Sequence, residues 1–82
     1  MTVNTLANSH KVIGAKQVVK AVEKGLVSRV YLAGDADLWV TAPIRELCVA
    51  RGVSVETVPS LTELGKACGI AVGAAAVAQL KK

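Results

Sequence analysis

Lys16, Gln17 and Lys20 are the side chains whose types and spacing best suit a chemical task, and they sit together in the segment "GAKQVVKAVEKG", residues 14–25. Within it Ala15, Val18, Val19, Val22 and Leu26 recur at helical spacing, which leaves Lys16, Gln17, Lys20 and Glu23 on the opposite side. The two ammonium groups and the carboxamide therefore ride on the first turn and a half of a helix. The first N–H groups of a helix lack internal partners and carry the positive end of its dipole, so such an end accepts phosphate oxygens. Gly14 lets the backbone turn into the helix and lets another molecule approach closely. Lysine in a first turn works against the dipole at a cost of roughly a few tenths of a kcal/mol. A solvated face tolerates that cost; a bound polyanion turns it into a gain. The segment by itself leaves both open.

Other chemistry has little support. His10 is the single histidine, and it stands in the poorly patterned segment "MTVNTLANSHK" with no nucleophile motif beside it. Asp35 and Asp37 precede a helical stretch, where carboxylates serve as caps for free N–H groups. Neither G-x-G-x-x-G nor G-x-x-x-x-G-K-[ST] occurs. Cys48 and Cys68 lie 20 positions apart, outside any C-x-x-C pair, and read as buried thiols. These features predict no enzyme activity, no metal and no cofactor.

The helix end has to be held by its neighbours, and the chain supplies them at short intervals. "HKVIG" is a brief strand, and Gly25 stops the helix after it. "SRVYLAG" is β-branched and aromatic enough for a strand. "DADLWVTAPIRELCVARG" is helical in two pieces, because Pro43 fits the first turn of a helix opened near Thr41. Leu47 and Cys48 then face inward. "VSVETV" alternates as a half-buried strand. Ser60 and Glu63 have capping-box spacing and start a third helix, which Gly69 ends. A loop follows, and "AAAVAQL" is a buried final strand. Strands and helices that alternate in this way predict a three-layer α-β-α sandwich around a mixed four-stranded sheet, one domain over residues 1–82. Phe is absent and hydrophobic types make up 52% of the chain. The core must be built from Val, Leu, Ile and Ala.

Net charge is +4, unevenly spread. Residues 1–25 carry Lys11, Lys16, Lys20 and Lys24 against Glu23; residues 64–82 carry Lys66, Lys81 and Lys82 against no acid; the middle is net negative. Folding that joins the two ends would make a basic face of the kind that meets a polyanion. The N-terminus lacks a secretory pattern, and the apolar run "ACGIAVGAAAVAQL" is too short for a bilayer. A cytoplasmic monomer without membrane contact is expected.

"IGAKQVVKAVEKG" and "ELGKACGIAVGAAAVA" together resemble the kink-turn RNA-binding ribosomal protein family, the seven-Ae and thirty-e superfamily, in its bacterial form. Gly14, Lys16, Gln17 and Lys20 match its first motif, and Leu64 to Ala78 match its second, in the right order over residues 10–80. The resemblance implies a protein that stabilises a sharp bend in duplex RNA, built on sheared G·A pairs with one nucleotide extruded. Partners would be kink-turn RNA, including ribosomal RNA and the ribosome. Contacts are implied at Gly14, Ala15, Lys16, Gln17, Lys20, Lys24 and Lys66, with Lys11 among the cations that neutralise crowded phosphates. Ile70, Ala71, Val72, Gly73 and Ala74 would form an apolar shelf for the extruded base. Such a protein clamps a bent duplex without aromatic platforms. Ala71 stands where the family carries a glutamate, and Leu38 and Trp39 where it carries a proline; the latter fall on a helix expected to lie away from the RNA. The rival function is a protein-interaction or small-ligand module on the same sandwich.

Overall fold

The computed structural model describes residues 11–67, 69 and 73–81. In chain order the elements are β1 (Lys11–Ile13), α1 (Ala15–Glu23), β2 (Val27–Ala33), α2 (Leu38–Arg51), β3 (Ser54–Val58), α3 (Leu61–Ala67) and β4 (Ala76–Leu80). The sheet order is β1-β4-β2-β3, with β4 antiparallel to both neighbours and β2 parallel to β3. This is the expected three-layer sandwich with a mixed four-stranded sheet.

Alternation on the two central strands decides which helix covers which face. Val30 and Leu32 of β2 and Ala76 and Ala78 of β4 point to one side, where Val18, Ala21 and Val22 of α1 and Ile44 and Cys48 of α2 bury them. Tyr31, Ala33 and Val77 point to the other, against Leu64 and Ala67 of α3. Strands covered on both faces read as nearly continuous apolar runs, which is why "VYLA" and "AVA" carry no polar residue. Each fully buried Val, Leu or Ile here contributes about 1.5–3 kcal/mol. Tyr31 joins the aliphatic core at 1% exposure.

α1 ends on Gly25, whose φ of 72° no branched residue would share. Its N–H bonds Val22 O at 3.0 Å while Leu26 N–H bonds Ala21 O at 3.1 Å, a Schellman pair that closes the helix. β4 is anchored to this end by Lys81 N–H on Leu26 O at 2.8 Å.

Three expectations need correction. The second helix is a single piece from Leu38 to Arg51, with Pro43 as its sixth residue rather than near the start of a helix opened at Thr41. Pro43 and Trp39 both face solvent, so the carbonyl that loses its i+4 donor is open to water, while burial of Thr41, Ile44 and Cys48 holds the inner side continuous. Asp37 is the N-cap residue of α2 but makes no side-chain cap bond; Asp35 caps a different helix, accepting from Leu61 N–H of α3 at 2.7 Å. Finally, β4 begins at Ala76, two residues later than expected: Ala33 N–H still reaches Ala75 O at 2.9 Å in the ladder register, but Ala74 N–H turns away to Leu61 O at 3.1 Å. The Ser60 cap is as expected, with its Oγ accepting from Glu63 N–H at 3.1 Å.

Candidate nucleic-acid interface

Gly14 sets the entry to α1. Its φ of 107° and ψ of 142° lie in a region reserved for glycine, although a Cβ there would meet nothing within 4 Å. Backbone strain, not space, demands the glycine. Its N–H is spent on Ala76 O at 3.0 Å and its carbonyl accepts the first helical bond, from Val18 N–H at 2.9 Å. No side chain caps this end, and no acid stands in the first turn. Ala15, Lys16 and Gln17 are thus the first-turn residues whose N–H groups have no partner among the described residues.

Lys16, Gln17 and Lys20 are all exposed, while Ala15 is half-buried beneath them. On an α-helix the three fall within an arc of about 100°, with the two lysines about 6 Å apart along the axis. Among the described residues the one ion pair is Arg29 with Glu56 at 3.6 Å, so neither lysine is neutralised by an acid there. The expected cluster is present as a structural unit.

Topology places this cluster on a rim. β1, β2 and β3 run in one direction, so their carboxyl ends share an edge of the sheet and each leads into a helix N-terminus. Hydrogen bonds lace that edge: Gly14 to Ala76, Ala33 to Ala75, Gly34 to Val58 at 2.7 Å, Ala74 to Leu61, and Leu61 to Asp35. Of the expected shelf, Gly73 is exposed and Ala74 buried; Ile70, Ala71 and Val72 lie outside the described residues. Gly73 runs so close to α3 that an added Cβ would meet Leu61 Cβ at 3.0 Å and its carbonyl carbon at 3.3 Å. Ala76, the first residue of β4, is bonded directly to Gly14 at the start of α1. The two distant sequence motifs meet here.

The remaining expected cations are spread out. Lys11 lies on β1, half-buried at the register position opposite Gln79. Lys24 caps the C-terminal end of α1, about 12 Å along the axis from Lys16. Lys66 stands in the last turn of α3, on the other sheet face, in a groove it shares with Glu56 and Glu63. None of the three joins Lys16 and Lys20 at the tip.

Trp39 corrects the expectation that α2 lies away from this surface. α1 and α2 cover the same sheet face, and between them runs a groove of about 540 Å³ with Lys16 and Lys20 on one wall and Trp39 and Pro43 on the other. Trp39 is 81% exposed. A helix read as continuous from Leu38, with Thr41, Ile44 and Cys48 inward, would have shown Trp39 turned outward; the break assumed at Thr41 hid it.

Cys48, buried between the helices and the sheet, has its thiol pushed above the ordinary range by loss of hydration, with the Arg45 charge opposing the effect. It is a core residue. Among the described residues no group of three His, Cys, Asp or Glu side chains could hold a metal ion, and no helix is long and apolar enough to cross a membrane.

The sequence model of the ribosomal protein L7Ae/L30e/S12e/Gadd45 family matches residues 2–82. The chain belongs to that family. Its relatives include an RNA-binding protein of Bacillus pumilus, 49% identical over 67 residues that cover 82% of each chain. Another is the RNA-binding protein YbxF of Geobacillus stearothermophilus, 44% identical over 70 residues and 85% of each chain. The 15.5 kD RNA-binding protein of Giardia lamblia superposes with a TM-score of 0.88 at 26% identity, over 98% of this chain and 68% of that one.

Proposed function

We propose that this chain is a non-enzymatic RNA-binding protein that recognises and stabilises kink-turns in ribosomal or regulatory RNA. The observation that carries the proposal is the start of α1: uncapped, free of acids, and presenting Lys16, Gln17 and Lys20 to solvent beside the strand that follows residues 70–75. Family membership and the RNA-binding names of its relatives support the same reading.

The chemistry follows from the groups present. Ordinary A-form RNA hides its major-groove edges, whereas a sharp bend opens that groove and exposes guanine O6 and N7. Both are acceptors; the ammonium groups of Lys16 and Lys20 donate to them, and the Gln17 amide donates or accepts beside them. The free N–H groups of the first turn, together with the helix dipole, favour the phosphates crowded at the bend. Lys11 and Lys24 lie far enough along the chain's surface to meet the flanking backbone rather than the same base pairs. Of the shelf expected at residues 70–74 for the extruded base, Gly73 is seated close on α3.

A gel shift against a kink-turn RNA and against the same RNA without its G·A pairs tests this. Tight binding to the first and at least tenfold weaker binding to the second is expected. Equal binding to both, or none to either, refutes it.

A further inference from the structure

We propose that Trp39 is a stacking platform for a second unpaired nucleotide at the bend, held in the groove between α1 and α2. This rests on the RNA-binding function proposed above and adds a contact on a helix that the sequence motifs do not include. At 81% exposure the indole is turned almost wholly to solvent, with Leu38 beside it at 78%. It lines one groove with Val40 and Pro43, opposite Lys16, Val19 and Lys20. Its volume of about 540 Å³ falls within the roughly 300–1,000 Å³ of small-molecule sites, ample for one nucleotide.

Charge selects the occupant. An exposed indole across the groove from Lys16, which lacks an acid partner among the described residues and has donors beyond the one that meets a guanine edge, is a pairing that stacks a base on the ring and holds its phosphate alongside. Glu23 lines the far end of the same groove, so a polyanion is favoured only at the Lys16 end, nearest the rim. The backbone then crosses at the mouth and the base lies inward along Val19 and Pro43. An apolar or acidic peptide would leave one of these two features unused.

Trp39 is the only tryptophan in the chain, so its own emission reports the contact. Titration with kink-turn RNA is expected to quench that emission, saturating at one RNA per protein with the affinity seen by gel shift. Trp39→Ala should weaken binding about 5- to 150-fold, the range for one base stacked on an aromatic side chain, and Trp39→Phe should keep most of the affinity. Because the indole is exposed, the thermal melt of Trp39→Ala should match that of the parent, which excludes misfolding. An abasic scan of the unpaired nucleotides should find one position at which the Trp39→Ala loss disappears. Tight, G·A-dependent binding with unchanged emission, or with full affinity in Trp39→Ala, overturns the platform and leaves kink-turn recognition standing. Emission that shifts with protein concentration alone, together with a dimer in sedimentation, also overturns it and gives the groove to a second copy of the chain. Absence of G·A-dependent binding in the parent would instead refute the parent proposal.

Discussion

Lys20 and Lys24 lie one turn apart on the same helix, and their unequal roles are the sharpest consequence of the geometry. Lys20 is about 6 Å along the axis from Lys16 and about 40° around it, so both reach the space off the helix tip. Lys24 is about 12 Å from Lys16 and about 80° around, at the C-terminal cap. Two stacked bases span roughly 3.4 Å per step along a strand, so a pair of adjacent G·A layers fits the Lys16–Lys20 interval but does not extend to Lys24. A lysine on a guanine edge is worth about 1–3 kcal/mol of discrimination, or about 5- to 150-fold in Kd. A phosphate contact weakens all RNAs alike and lowers the salt slope by about 1. Lys20→Ala should therefore cost about 1–3 kcal/mol on kink-turn RNA and far less on the G·A-free control. Lys24→Ala should cost the same small amount on both, vanishing at high salt. Both side chains are exposed and unpaired among the described residues, so neither change should alter the melting temperature. Gel shifts at three salt concentrations for the two variants and two RNAs decide it. Equal G·A-dependent losses at Lys20 and Lys24 would refute recognition by the helix tip.

Three further outcomes follow from local chemistry. Gly14→Ala should destabilise the fold by about 1–3 kcal/mol in urea unfolding, because φ 107° is strained for alanine even though its Cβ has room. Asp35→Ala should cost about 1 kcal/mol by removing the acceptor for Leu61 N–H, and Asp35→Asn, which keeps an oxygen, should recover most of it in the same assay. In a Cys68→Ser background, Cys48 should resist iodoacetamide at pH 7–8 until the protein is unfolded, as expected for a buried thiol with a raised pKa. The pH dependence has a definite sign. Folding favours the protonated thiol, so its contribution is complete below the unfolded value near about pH 8.5 and is lost as pH climbs through the folded one. Melting temperatures between pH 8 and pH 10 should fall less steeply for Cys48→Ala than for the parent.

Short-range pattern was enough to place the elements in order, though not to show that α2 is unbroken or where β4 begins. The valine spacing of residues 18–22, the Ser60–Glu63 cap and the unbroken apolar run "VYLA" are each local features, so α1, α3 and β2 are legible without the fold. The anion-seeking character of the first helix is legible too, since an uncapped N-terminus with lysines beside it is a local fact. Tertiary structure decided what those elements meet. Antiparallel pairing of β4 between β1 and β2 joins Ala76 to Gly14, and no local rule specifies that partner. Asp35 caps α3 instead of its own helix because parallel pairing of β2 with β3 brings the ends of those strands side by side. Trp39 shares a groove with Lys16 and Lys20 because α1 and α2 pack on one sheet face while α3 takes the other. Side chains far apart in sequence become neighbours only through strand order, and strand order is settled by burial of the whole apolar set rather than by any one segment.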